Sequence, residues 1–262
     1  MDNIKTVYEL AWLTTQQVVV TTDKEGNNIK SFGSGFFFQY EDTYFFVTAD
    51  HVLHSDDFEE GLRLGTDDYL WVLNNINSTT ELSTMITPIG ELFTFDMMNF
   101  NDELSLEIPD MKDIALAMLP NTFFNSKFLT HELKIGDYVI VKEGEEKLII
   151  KCSEALEEKD YCLIEGCVKW NKKNGIKLDR YNVIHQDLKL ESIDKEGYYI
   201  LKYPGHVKYE EWAGLSGGPI FNDKAKLIGM AIEVYQDDDT IRVIPIEKIM
   251  ELMNYAIKIN QI

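Results

Sequence analysis

Short apolar runs rich in aromatic and β-branched residues, each closed by a polar turn, recur along most of the chain. The start differs: Ile4, Val7, Tyr8, Leu10, Ala11 and Leu13 keep helical spacing, which predicts a short amphipathic helix over residues 4–14. Residues 17–22, 31–40 and 44–49 then read as strands, parted by polar turns at 23–28 and 41–43. The second of these opens on Gly33-Ser34-Gly35. Residues 55–110 carry weaker signals, with strands expected at 70–73 and 91–95. Asp113 then heads the continuous apolar run 114–119.

The second half repeats the style at 137–142, 147–151, 162–170, 197–201, 227–235 and 241–244. After Pro245 the period changes. Ile246, Ile249, Met250, Met253 and Ile257 mark one face of a closing amphipathic helix. The pattern as a whole predicts an all-β fold ending in a helix. No Pro-rich linker divides it, and a weak boundary near 121–134 sets the expected division between units 1–125 and 126–262.

Composition narrows the function classes. At 262 residues, 45% hydrophobic and 27% charged, the chain has ordinary globular make-up and length enough for a substantial core. Forty-five acidic against 25 basic residues give a net charge of −20. Binding phosphate backbones needs clustered Lys and Arg, so nucleic acid is not an expected partner. No apolar run reaches the ~18 residues of a membrane span, and Met1-Asp2-Asn3-Ile4-Lys5 lacks the pattern of a secretory signal. With three cysteines, an odd number, a cytoplasmic location is expected. Cys152, Cys162 and Cys167 alternate with apolar residues and lack a C-x-x-C pair, which predicts small core residues and no zinc. No cofactor is expected.

Chemistry concentrates at Gly214-Leu215-Ser216-Gly217-Gly218-Pro219, where glycines crowd one hydroxyl. Glycine permits positive φ and close approach, both useful for presenting a nucleophile beside backbone N–H donors. Gly214-x-Ser216-x-Gly218 also fits a hydrolase nucleophile elbow, but that arrangement needs a histidine downstream of the serine. All five histidines, His51, His54, His131, His185 and His206, precede it. The order His, Asp, Ser remains. His51 follows the apolar run 44–49, and Asp113 stands at the mouth of 114–119, where a carboxylate can orient an imidazole. His51 and His54 with Asp56, Asp57, Glu59 and Glu60 suggest a metal site less than the acids suggest a solvated face.

With those pieces assembled, the sequence resembles the trypsin-like (chymotrypsin-fold) serine proteases, especially bacterial HtrA/DegP-type members without a PDZ domain. The resemblance rests on Gly33-Ser34-Gly35-Phe36, Val47-Thr48-Ala49-Asp50-His51-Val52, Asp113-Ile114-Ala115-Leu116 and the Ser216 segment. Leu227-Ile228-Gly229 and Val243-Ile244-Pro245-Ile246 extend it toward the C-terminus. It implies two antiparallel Greek-key β-barrels, His51 and Asp113 on the first and Ser216 on the second, with a C-terminal helix. It further implies a serine endopeptidase acting through an acyl-enzyme. Ser216 would be nucleophile, His51 general base and then acid, Asp113 the orienting carboxylate, and the Gly214 and Ser216 N–H groups the oxyanion hole.

The family places substrate beside the segment ahead of the serine and beside Ile232-Glu233-Val234, so Glu210, Glu211 or Glu233 would favour a basic side chain. Two positions depart from the pattern. Leu215 replaces the aspartate that pairs with a new N-terminus in digestive relatives, leaving activity constitutive or controlled by a regulatory protein partner or by rearrangement of the loops. Asp50 precedes the histidine and could compete for its ring. Protein or peptide is the implied substrate. The alternatives are a catalytically silent binding module on the same fold and an esterase using the same three residues.

Overall fold

In a computed structural model the chain is described over residues 6–62, 64–65, 67–77, 82–97, 110–173 and 177–260. Helix α1 (Val7–Thr14) leads straight into β1 (Thr15–Thr21), followed by β2 (Ile29–Tyr40) and β3 (Thr43–Thr48). Two short helices, α2 (Asp50–Leu53) and α3 (Ser55–Glu60), precede β4 (Tyr69–Asn77), β5 (Leu82–Pro88), β6 (Phe93–Met97) and β7 (Asp110–Leu119). After a 3₁₀ turn (Asn121–Asn125) comes the hairpin β8 (Leu133–Ile135) and β9 (Tyr138–Val141). The second unit holds β10 (Cys162–Lys173), β11 (Lys177–Ile193), β12 (Tyr199–Lys202), α4 (Tyr209–Trp212), β13 (Pro219–Asn222), β14 (Leu227–Tyr235) and β15 (Thr240–Pro245). Helix α5 (Ile246–Asn260) closes the chain.

The chain is all-β with a C-terminal helix, as its pattern predicts. Among the described residues, β5-β4-β1-β2-β3-β7-β6 form one sheet and β10-β11-β12-β15-β14-β13 a closed barrel. The barrel closes through β10 and β13, where Leu163 faces Phe221. The end strands of the first sheet, β5 and β6, do not pair with each other among the described residues, so recorded closure is confined to the second unit.

Local chemistry explains the ends of the first elements. Thr6 caps α1: its Oγ1 accepts from Glu9 N at 3.2 Å while Glu9 Oε2 accepts from Thr6 N at 2.7 Å, a reciprocal capping box. Met1 to Lys5, including Ile4 of the predicted helix, lie outside the described residues. β2 and β3 contribute Phe36, Phe37, Phe45 and Phe46, all buried. Phe37 meets Phe46, Phe123, Phe124 and Phe128 edge-on at 5.2–5.7 Å, which fixes the 3₁₀ turn against the sheet. One apolar core runs from these rings through Leu227 and Met230 of β14 to Ile246, Ile249, Met253 and Ala256 of α5. The barrel interior is separate, built on Ile164, Leu188, Leu201, Ile220 and Ile241.

Three expectations need correction. Residues 147–151 form no strand, because their backbone groups serve several elements rather than one neighbour. Lys147 N donates to Phe128 O at 2.7 Å, Leu148 N to Leu13 O at 2.8 Å and Ile150 N to Phe37 O at 2.9 Å. The segment is a seam. Cys152 is exposed, unlike the buried Cys162 and Cys167, because it follows that seam rather than lying on a barrel strand. Last, the acids after His54 are not all solvated: Asp57 is buried and its Oδ1 accepts from Leu64 N at 3.0 Å.

Candidate active site

His51 stands where the buried strand β3 ends and the chain turns into α2. β3 pairs with β7 up to Thr48 opposite Ala115, so continuing β7 backwards by two residues sets Asp113 beside the start of α2. Both carboxylate oxygens are then used on one residue. Asp113 Oδ1 accepts from His51 N at 2.9 Å, and Oδ2 lies 2.7 Å from His51 Nδ1. A carboxylate only accepts, so the ring proton sits on Nδ1 and Nε2 keeps its lone pair.

Burial pulls the His51 pKa down, but the hydrogen bond and charge of Asp113, with the charges of Asp50 and Glu233, outweigh it and leave the value raised. Asp50, expected to compete for this ring, turns elsewhere: fully buried, its Oδ1 lies 2.7 Å from His54 Nδ1, one helical turn on. It acts on His51 through charge alone.

Ser216 reaches the same place from the second unit. The loop from α4 to β13 is a succession of tight turns: Ala213 N bonds Tyr209 O (2.7 Å), Leu215 N bonds Trp212 O (3.0 Å), and Gly218 N bonds Leu215 O (2.8 Å). Gly214 has φ +100°, and a Cβ there would stand 2.5 Å from the Cys167 carbonyl oxygen. Gly217 has φ +85°, and its Cβ would meet Ser34 O at 2.1 Å. Glycine is required at both for conformation and for space.

The Gly33-Ser34-Gly35 bend proves to be the seat of this loop. Ser34 N donates to Ser216 O at 2.9 Å, Ser34 Oγ donates to Gly214 O at 2.8 Å, and Thr48 Oγ1 donates to Ser34 O at 2.7 Å. Sequence reading singled out the motif without a role for Ser34; a hydroxyl flanked by glycines was the available signal.

His51, Asp113 and Ser216 line one cleft of about 780 Å³, together with Phe58, Met111, Trp212, Gly214, Ile232, Glu233, Val234 and Arg242. The Ser216 hydroxyl donates to Ile232 O at 3.4 Å, a long contact, and not to His51 among the described hydrogen bonds. The N–H groups of Gly214 and Ser216 have no partner among the described residues, whereas those of Ala213, Leu215, Gly217 and Gly218 are all bonded within the protein. Two free donors therefore flank Leu215, whose side chain is buried in the barrel core.

Of the three acids suggested for substrate binding, only Glu233 borders the cleft. Glu211 pairs with Lys208 at the surface (3.1 Å), and Glu210 is exposed outside the lining. Glu233 accepts from Tyr235 OH at 2.7 Å and lies 4.0 Å from Arg242, whose guanidinium is held mainly by Asp194 (2.7 Å) and Glu196 (3.1 Å). Sequence reading missed this charged cluster, since it depends on the register that sets Arg242 opposite Glu233.

No family model and no curated protein matches the chain. Among solved structures it is similar to the serine endoprotease from Yersinia pestis, with TM-score 0.47 and 12% identity over 96% of this chain. It is also similar to Deg5, with TM-score 0.45 and 11% identity over 94% of this chain and 89% of that one. The chain spans 65% of the length of the Yersinia structure.

Proposed function

We propose that the protein is a serine endopeptidase whose catalytic residues are Ser216, His51 and Asp113. The observation that carries this reading is the convergence in one cleft of a doubly anchored His51–Asp113 pair, a serine hydroxyl and two unpartnered N–H groups. His51 Nε2 takes the proton of Ser216 as Oγ attacks the scissile carbonyl carbon. The carbonyl oxygen, now an oxyanion, is received by the Gly214 and Ser216 N–H groups. Losing one such donor costs on the order of 3 kcal/mol of transition-state stabilisation. Collapse breaks the C–N bond, His51 returns its proton to the leaving amine, and water hydrolyses the acyl-enzyme by the same steps in reverse roles.

A fluorophosphonate probe should label the wild-type serine and leave Ser216→Ala unmodified, read by intact mass. A folded wild-type protein that takes no label even when saturated with its partner would overturn the assignment. One observation favours the silent binding module instead, the Ser216 hydroxyl bonded to Ile232 O rather than to His51. Unliganded enzymes often hold such contacts loosely, so the resting geometry is compatible with both. With Leu215 buried beside the nucleophile, activation by a salt bridge to a new N-terminus has no acceptor at this position. A regulatory protein partner is the proposed switch, and rapid unassisted turnover by the purified chain would dispose of it. Comparing peptide with simple ester substrates separates the endopeptidase from the esterase. Glu233 is the residue placed to favour Lys or Arg, and a peptide-library profile without basic enrichment would remove that role.

A further inference from the structure

The loop that carries the two free N–H groups is held from behind by an aromatic stack outside the proposed chemistry. His185, on β11, is 7% exposed and lies face to face with the indole of Trp212, ring centroids 3.8 Å apart and planes 6° from parallel. Tyr203 packs edge-on against both rings at 5.3 Å. His185 Nε2 stands 2.9 Å from the carbonyl oxygen of Glu211. A carbonyl only accepts, so this nitrogen carries a proton and the neutral ring has its lone pair on Nδ1. One imidazole thus grips two consecutive residues of α4.

From that grip to the site is one turn of chain. Trp212 O accepts from Leu215 N at 3.0 Å, and the free N–H groups of Gly214 and Ser216 lie on either side of Leu215. Trp212 itself is 2% exposed, and its Nε1 has no hydrogen-bond partner among the described residues. With no polar partner among the described residues, the indole is held by packing, by the His185 stack on its face, Tyr203 at its edge and the barrel core around it.

We propose that His185 is a positioning residue for the oxyanion loop, fixing α4 through its Nε2–H and its stack on Trp212 so that the Gly214 and Ser216 N–H groups remain aimed at the cleft. This rests on the reading of Ser216 as nucleophile. The titratable groups facing the ring are Glu211 of α4 and Tyr203. Burial lowers the His185 pKa, and the carbonyl and charge of Glu211 oppose it without reversing it. Protonation leaves the Nε2–H on the Glu211 carbonyl but charges a buried ring, so the stability of the neutral packing is complete above about pH 6.5 and is lost as pH falls through the lowered value. His51, raised rather than lowered, titrates on the other side of the ordinary imidazole range.

The test compares His185→Phe, which keeps a stacked ring without a donor, with His185→Gln, which keeps a donor without the stack, and with His185→Ala. Each is measured in the full chain for the rate of fluorophosphonate labelling, for kcat and KM on an activated ester, and for melting temperature. The expected result is about 10-fold lower kcat for Phe and Gln and about 100-fold for Ala, with KM unchanged, in keeping with loss of oxyanion donors. The acid limb of the pH profile should be steeper in wild type than in folded His185→Phe, which lacks the second titrating ring. Wild-type labelling rates and an unchanged acid limb in folded His185→Phe and His185→Gln would overturn the proposal. If wild type itself, saturated with its partner, is not labelled at Ser216, the nucleophile reading falls and this proposal with it, an outcome visible before any His185 variant is compared.

Discussion

Both oxygens of Asp113 are committed to His51, one to its backbone N–H and one to its ring. That double anchor sets orientation and tautomer together. Asp113→Asn keeps the size but brings an NH₂ where two acceptors are needed, so the ring can turn to the unproductive tautomer. Its kcat should fall about 10³–10⁴-fold. The base must be neutral to work, and its pKa is raised, so kcat/KM should climb with pH through a midpoint above about 6.5. Residual activity of Asp113→Asn should show that midpoint moved down; an unmoved midpoint would mean that Asp113 does not set the charge of His51. Gly214→Ala tests the loop directly, because φ +100° and the 2.5 Å approach to Cys167 O leave a methyl no room. It should cost about 10²-fold or more in kcat through the displaced donor. At this scale the candidate site was largely legible. Glycines around Ser216 and apolar runs beside His51 and Asp113 are local signals. The Asp50–His54 pair and the His185–Trp212 stack were not, since the first depends on which way a helical turn faces and the second joins β11 to α4, apart in sequence.

Elements were legible where both faces are buried and the apolar run is continuous. β2, β3 and β7 carry unbroken apolar runs because their central residues are buried almost throughout. β11 escaped notice for the opposite reason. Gln186, Asp187, Lys189 and Glu191 are exposed around the buried His185 and Leu188, so this long strand reads as polar chain. The seam 147–151 misled in the other direction, since Leu148, Ile149 and Ile150 are apolar yet the Leu148 N–H bonds α1 and the Ile150 N–H bonds β2. The closing helix was expected from its period, but its partners were not. α5 covers β14 and the Phe-rich first core at once, and Asn254 Nδ2 donates to Tyr40 OH at 2.8 Å on β2. Met253→Ala, at a fully buried position, should therefore cost about 2–5 kcal/mol. Urea unfolding followed by Trp fluorescence should show one transition shifted to lower midpoint. A shift confined to one of two separate transitions would show that α5 does not couple the two units.

Across the whole molecule, charge opposes folding more strongly as pH rises. The net charge of −20 repels itself, and the buried Glu165 and the half-buried His51 add to the trend. Burial pushes the Glu165 carboxyl up to about 7, with the Lys147 charge and the Asn182 amide opposing. Lys147 is also held by the carbonyls of Trp12 and Thr15, so this polar cluster ties α1 and β1 to the barrel. Glu165 and His51 both have folded values above their unfolded ones, so the folded state binds the extra protons. The stability they contribute is complete below the unfolded values, about 4.3 for Glu and 6.5 for His, and is lost as pH rises through the folded ones. Asp194 works the other way. Burial raises its pKa, but the Tyr198 N–H and Arg242 outweigh that and hold it low, so its contribution is lost only in acid. The melting temperature should therefore peak in mildly acid solution and fall between about pH 6 and pH 8. Two interventions separate the causes. Raising salt from about 0.05 to 0.5 M at pH 8 screens surface repulsion and should raise the melting temperature, but it cannot reach the buried carboxylate. Glu165→Gln removes the buried titration and should flatten the fall between pH 6 and pH 8 at either salt concentration. If the wild type and Glu165→Gln lose stability in parallel over that range, Glu165 is not the group that titrates, and the fall belongs to surface charge and His51.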